Sequence, residues 1–185
     1  MINKKLAILF SGTGSNFAYV LEHLHLRGFE VVVAITNNPQ AKGIEIAKKH
    51  HIPLEIIDSK AYSNREEFDR VLVDRLNIYN PDLSILAGFM RILTPHFTDN
   101  VKSINLHPSL LPRHKGLNAI EKSYEDEYEF GGVSVHWVSS VLDGGEIILQ
   151  KKIRKDNITF EEYNYTIRKI EKEVLVKAIK SINLS

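Results

Sequence analysis

Short runs of consecutive apolar residues alternate along this chain with stretches whose apolar positions recur every three to four residues. Leu6-Ala7-Ile8-Leu9-Phe10 has no polar interruption, as expected of a strand buried on both faces. Residues 16–26 place Phe17, Val20, Leu21 and Leu24 at helical spacing, and Gly28 closes that segment. A second strand is predicted over 31–35, ended by Asn37-Asn38-Pro39, followed by a short helix over 44–50 and a third strand over 54–57. Ser63 and Glu66 have the spacing of a capping box ahead of a helix over 64–79, which Pro81 stops. A fourth strand is predicted over 83–87 and a fifth over 104–107. Two more, over 133–138 and 147–153, flank the turn signal Asp143-Gly144-Gly145. Thr159 and Glu162 form another capping-box pair, opening a C-terminal helix with Ile167, Ile170, Val174, Ala178 and Ile179 along one face. Strands alternating with helices predict an α/β chain: a single-domain, Rossmann-like, three-layer fold over 1–185 with a mostly parallel central sheet.

Composition narrows the functional classes. The chain has 185 residues, 43% hydrophobic and 25% charged, which is ordinary for a globular domain. It contains no cysteine, which removes thiolate metal sites and cysteine nucleophiles together. The net charge is +1 with no long basic block, which argues against a nucleic-acid partner. The apolar runs are too short for a signal-peptide core or a membrane span, so a cytoplasmic location is expected.

Three segments could carry chemistry. Ser11-Gly12-Thr13-Gly14-Ser15-Asn16 lies between the first strand and first helix, where glycines admit a ligand and free N–H groups favour an anion. A plain glycine turn accounts for the pair equally well. Phe17 stands where the dinucleotide fingerprint wants a third small residue, and the second strand ends in Thr36, Asn37 and Asn38 rather than an acid. The loop therefore suits one phosphate better than NAD. In the second segment, Asn105 and His107 are two apart on a strand and project to one side, with Pro108 ending the strand. An amide N–H beside an imidazolium N–H could serve a developing oxyanion. The third is Asp143, by itself a turn former, which could raise the pKa of His107 and keep its ring charged. His23, His25, His50 and His51 lack metal-site spacing and read as surface histidines, and Glu125-Asp126-Glu127 reads as a solvated loop.

Taken together, the segments 12–16, 86–93, 104–112, 132–138 and 142–145 resemble, in order and spacing, the glycinamide ribonucleotide formyltransferases, a folate-dependent family of purine synthesis. The resemblance implies that Gly12, Gly14, Ser15 and Asn16 bind a substrate phosphate, with Glu171 contacting the ribonucleotide. It implies Asn105, His107 and Asp143 as the catalytic set. Met90, Arg91, Ile92 and Leu93 would line a pterin pocket, closed by the stretch 139–143 with Ser139, Ser140 and Asp143, while Asn105 also faces the cofactor and Arg65 nears the folate tail. The N-terminal part would then bind phosphate and the C-terminal part would bind folate and catalyse. The small-molecule substrates would be 10-formyltetrahydrofolate, as co-substrate with no metal, and glycinamide ribonucleotide, on a monomer or homodimer without membrane contact. Where some relatives carry a histidine near 118–119 this chain has Asn118 and Ala119, and residues 124–130 form an acidic, aromatic stretch.

The expected chemistry is attack of the amine on the formyl carbon, with protonated His107 and the Asn105 amide holding the oxygen. A 10-formyltetrahydrofolate hydrolase would share the Asn, His and Asp but usually carries an extra N-terminal domain. A methionyl-tRNA formyltransferase adds a C-terminal RNA-binding domain, for which this length leaves no room. A non-catalytic phosphate-metabolite binder would have no need of all three side chains.

Overall fold

The chain's first strand, β1 (Lys4–Phe10), is apolar without interruption from Leu6 to Phe10 because it is paired on both sides, and those five residues are fully buried. The computed structural model describes residues 4–184. They fall into two compact units, one of residues 4–104 with Leu184 and the other of residues 105–183.

In the first unit, β1 leads to α1 (Ser15–Leu24), β2 (Phe29–Thr36), α2 (Gly43–Lys49), β3 (Leu54–Ile56), α3 (Arg65–Tyr79), β4 (Leu83–Leu86) and α4 (Pro95–Asn100). The strand order is β3-β2-β1-β4, and every pairing is parallel. Phe10 pairs with Thr36 and Leu9 with Leu86, so the strands end level with one another. The chain steps outward twice from β1, through β2 to β3, then returns to the other side of β1 as β4. That reversal lies between β1 and β4, where open parallel sheets bind ligands beyond the strands' C-terminal ends.

Boundaries differ from the sequence pattern for local reasons. α1 stops at Leu24, because His25 is extended and Leu26 takes a left-handed turn at φ 59. The cap of α3 sits one residue later than the Ser63/Glu66 spacing suggests. Asn64 accepts the Glu67 N–H at 2.9 Å, and Ser63 instead donates its hydroxyl to the Glu67 carboxylate at 2.8 Å. α4 and, in the second unit, α5 (Ala119–Glu125) were not foreseen. α4 buries Phe97 alone, and α5 begins at Asn118, which gives its side chain no capping bond.

β5 (Ser103–His107) runs across the division between the units, and the second unit continues with α5, β6 (Phe130–Trp137), β7 (Ile147–Arg154) and α6 (Phe160–Ser181). β6 and β7 pair antiparallel, from Phe130 opposite Arg154 to His136 opposite Ile147. α6 packs on both strands. Its capping box forms as the sequence predicts: the Thr159 hydroxyl accepts the Glu162 N–H at 3.2 Å, and the Glu162 carboxylate accepts the Thr159 N–H at 2.8 Å. Ile167, Ile170, Val174, Ala178 and Ile179 are all buried along its inner face. Each large aliphatic among them contributes about 1.5–3 kcal/mol on full burial, far more than the cap.

Among the described residues no helix is long and apolar enough to cross a membrane.

Candidate active site

Asn105 and His107 leave the same side of β5, and Pro108 ends the strand after them. Asp143 reaches them from the 138–146 loop, where its backbone takes a left-handed turn at φ 46. The following glycines make that turn possible. A side chain at Gly145 would place its Cβ 1.8 Å from the Trp137 carbonyl oxygen, so the loop closes against β6 only with glycine there. The Asp143 carboxylate lies 3.5 Å from His107 Nδ1 and accepts Asn105 Nδ2–H at 3.2 Å and the Gly116 N–H at 2.8 Å. The amide, ring and carboxylate foreseen in the sequence thus meet in space.

A fourth side chain belongs with them and was not singled out from the sequence. His136, buried on β6, donates Nδ1–H to the Trp137 carbonyl at 2.8 Å. Its Nε2 therefore accepts from Asn105 Nδ2 at 3.1 Å in the neutral ring, and stands 3.5 Å from Asp143. The two Asn105 N–H groups are thus both held, one by His136 and one by Asp143. A signal for His136 existed: Ser134 and His136 are polar at alternate positions of an otherwise apolar strand, so they share a face. Ser134 serves the same region, donating to the Ser109 carbonyl at 2.6 Å and accepting the Leu111 N–H at 3.0 Å.

The charge on His107 corrects an expectation. Burial pushes its pKa below the ordinary imidazole value, and this outweighs the upward pull of the Asp143 charge and of the bond to the His114 carbonyl. The ring rests neutral near neutral pH. Since a carbonyl can only accept, the 2.8 Å contact from Nε2 to His114 O places the proton on Nε2 and leaves Nδ1 bare toward Asp143. Asp143 itself is ionised. Burial alone would raise its pKa, but the His136 and His107 rings, protonated at the low pH where a carboxyl titrates, and the Gly116 N–H more than offset that and hold it below the usual carboxylate range.

The first unit carries the glycine loop. α1 begins at Gly14, which has φ 73 and no side chain to cap the helix. A Cβ there would lie 2.8 Å from Gly43 Cα, so only glycine lets the starts of α1 and α2 approach this closely. No acidic residue occupies the first turn of α1, leaving its N–H groups to an anion. Gly12 and Ser15 are exposed there, and Asn16 Oδ1 is buried with no hydrogen-bond partner among the described residues. Asn37 and Asn38, which stand where a dinucleotide site has its acid, are tied to the loop instead. Ser11 donates its hydroxyl to Asn37 Oδ1 at 2.5 Å, and Asn38 donates to the Ser11 carbonyl at 3.1 Å.

Ser11 also accepts the Met90 N–H at 2.7 Å, fixing the segment that follows β4. Beyond it Met90 and Ile92 are 68% and 53% exposed, unusual for large apolar side chains and suited to a flat apolar ring. Leu93 is half-buried. Arg91 lies 4.6 Å over the Phe68 ring, and its buried Nε has no partner among the described residues. Arg65, at the start of α3, is exposed. In the second unit Ser139 is half-buried and Ser140 exposed, ahead of exposed Val141 and Leu142. Glu171 is buried on α6 with Arg168 3.3 Å away, and burial raises its carboxyl pKa despite that cation.

Two sets of residues first read as surface groups prove to be structural. His23 and His25 are half-buried: His23 stacks on Tyr19, and His25 accepts the Val31 N–H at 3.0 Å. Asp126 is not solvated, as Lys155, Arg113 and His114 surround its carboxylate. His50, His51, Glu125 and Glu127 are exposed as read.

An α/β chain whose glycine loop follows β1, and whose Asn, His and Asp converge beyond β5, is the architecture of a group-transfer enzyme. It belongs to the formyl transferase family, whose model matches residues 4–179. A phosphoribosylglycinamide formyltransferase from Campylobacter jejuni shares its mostly parallel fold at TM-score 0.94 and 50% identity, covering 96% of each chain. The phosphoribosylglycinamide formyltransferase of Haemophilus influenzae is 37% identical over 96% of this chain and 86% of its own length. The trifunctional purine biosynthetic protein adenosine-3 of Bos taurus is 34% identical over 96% of this chain and 18% of its own length.

Proposed function

We propose that this protein transfers the formyl group of 10-formyltetrahydrofolate to the amine of glycinamide ribonucleotide, a step of purine biosynthesis in the cytoplasm. The observation that carries the reading is the meeting of Asn105 and His107 with Asp143, whose carboxylate lies 3.5 Å from the His107 ring. The exposed Met90 and Ile92, beside backbone fixed by Ser11, fit an apolar pterin ring. Leu93 and Arg91 extend that surface, Ser139 and Ser140 offer hydroxyls from the 138–146 loop, and Arg65 is free to meet a carboxylate tail. The bound folate supplies the formyl carbon.

Gly12, Gly14, Ser15 and Asn16 hold the ribonucleotide phosphate at the uncapped start of α1. Anchoring the substrate far from its amine orients the nucleophile and removes much of the entropic barrier. Glu171 contacts the ribonucleotide from α6. As the amine attacks, negative charge grows on the formyl oxygen and Asn105 turns one N–H from its present acceptors toward it. His107, neutral at rest, takes up the proton that the amine sheds. The imidazolium so formed is stabilised by ionised Asp143, sets its positive charge beside the oxyanion that Asn105 holds, and returns the proton from Nδ1 to the departing folate nitrogen. His136 keeps the Asn105 amide oriented throughout.

The test is to incubate the protein with 10-formyltetrahydrofolate, with and without glycinamide ribonucleotide. Loss of formyl donor that depends on the ribonucleotide is the expected result. Loss without it would make the protein a hydrolase, and no loss at all would leave it a binder.

A further inference from the structure

The segment just after the catalytic strand touches both His107 and Asp143. The carbonyl of His114 accepts His107 Nε2–H at 2.8 Å, and the N–H of Gly116 donates to Asp143 at 2.8 Å. Local bonds hold its start, where Ser109 donates its hydroxyl to the Arg113 carbonyl at 2.6 Å and the Arg113 N–H donates to the Leu110 carbonyl at 3.1 Å. His114 is itself in the left-handed region at φ 54, uncommon for a residue with a side chain although histidine is among those that adopt it most.

A carboxylate at the end of α5 holds the side chains of this segment. Asp126 accepts from the His114 ring Nε2 and, at 3.2 Å, from Arg113 Nη1. Its other oxygen accepts from Lys155 at 2.5 Å and from the Tyr128 N–H at 3.0 Å. Lys155 is in turn committed, donating also to the carbonyls of Ser123 at 2.6 Å, Tyr124 at 3.3 Å and Asp126 at 2.9 Å. Arg113 donates its second arm to the Phe130 carbonyl at 2.7 Å and stacks 4.0 Å over the Tyr128 ring. The Asp126 and Lys155 side chains are only 11% and 8% exposed, so solvent screens their attraction little.

We propose that Asp126, fixed by Lys155, is a positioning residue for formyl transfer: it clamps Arg113 and His114 so that the next backbone groups set the His107 tautomer and aim Asp143. The clamp is built from residues 113–114, 126 and 155, none of which touches the reacting groups through its own side chain. Of these, Asp126 lies in the 124–130 stretch where this chain departs from the pattern it otherwise resembles. The inference rests on the catalytic roles given above to His107 and Asp143.

Asp126→Asn keeps the shape of the side chain and removes its charge. The expected result is a kcat lowered about 10- to 100-fold, the cost of a small misplacement, with KM for both substrates changed by less than about threefold. A tautomer measurement separates positioning from mere stabilisation. In protein labelled with 15N-histidine, the free enzyme should show His107 protonated at Nε2, and Asp126→Asn should show a mixture of both tautomers. His114→Gly, which keeps the left-handed backbone accessible and deletes only the clamped ring, carries the same test should Asp126→Asn fail to fold. A folded variant with kcat within about twofold of the parent, or one with reduced kcat and an unchanged His107 tautomer, overturns the proposal. The catalytic reading fails separately, if His107→Ala leaves formyl transfer intact. The tautomer in the free enzyme still judges the clamp.

Discussion

His107 is placed so that its two nitrogens have different tasks. Nε2–H is spent on the His114 carbonyl, and bare Nδ1 faces Asp143. Replacing the ring by His107→Ala should cost about 10²–10⁴ in kcat, the usual loss for a positioned acid–base group, while KM for both substrates moves by less than about threefold. Steady-state kinetics with each substrate varied in turn would check it. The pH dependence follows from the same ring. A base that must be neutral gives an acid limb in kcat/KM at its own pKa in the free enzyme. Burial, with His136 and His114 nearby, holds that pKa below the ordinary imidazole value against the pull of Asp143. The limb should therefore fall below that value, and Asp143→Asn should move it lower still while dropping the plateau about 10²–10⁴-fold. A limb at or above the ordinary imidazole value in the parent enzyme would contradict a ring that rests neutral. The identity of this site was legible because strand alternation puts Asn105 and His107 on one side. Its charge state was not. Burial decides it, and nothing in Asn105-Leu106-His107 reports how deeply the ring lies.

At the scale of elements, the best-read features are those whose physics is local. Thr159 and Glu162 cap α6 as their spacing says, because both partners lie within one turn. Thr159→Ala should lower stability by about 1 kcal/mol, a fall of roughly 2–4 °C in Tm for a chain of this size, with kcat at 25 °C unchanged. Parallel thermal melts and assays would show it, and a Tm shift below about 1 °C would mean that packing of Ile167 and Ile170 alone fixes the helix start. The cap of α3 was misread by one residue because Ser63, Asn64, Glu66 and Glu67 offer two overlapping pairs, and only the chain's entry direction chooses Asn64 with Glu67. α4 and α5 were missed for a different reason. α4 buries Phe97 alone, and α5 buries Ala119, Ile120 and Ser123, too little apolar surface to mark a face.

For the molecule as a whole, the alternation of strand and helix was legible because β1 and β4 are buried runs whose sequences carry no competing signal. The charge clamp on Asp126 was not, since Lys155 lies 29 positions away and no spacing rule joins them. That clamp has a consequence for stability. Asp126 would be raised by burial, but the bonds from Lys155, His114 and the Tyr128 N–H hold its pKa below the usual carboxylate range, and Asp143 is depressed too. A depressed carboxyl binds fewer protons folded than unfolded, so its stabilisation is complete above the unfolded value and is lost as pH falls through the folded one. His107, also depressed, acts with the same sign between the ordinary imidazole value and its own. Glu171 opposes them: burial raises its pKa, so its contribution is full at low pH and is lost as pH rises through that raised value. Below the ordinary carboxylate value Glu171 is protonated in both states, so there the depressed Asp126 and Asp143 decide, and Tm should fall as pH is lowered through that range. In Asp126→Asn the fall should be shallower below the ordinary carboxylate value, because one of the two depressed carboxyls no longer titrates. Melts of both proteins across that range decide the matter, and a variant whose Tm falls as steeply as the parent's would show that Asp126 has the same proton affinity folded and unfolded.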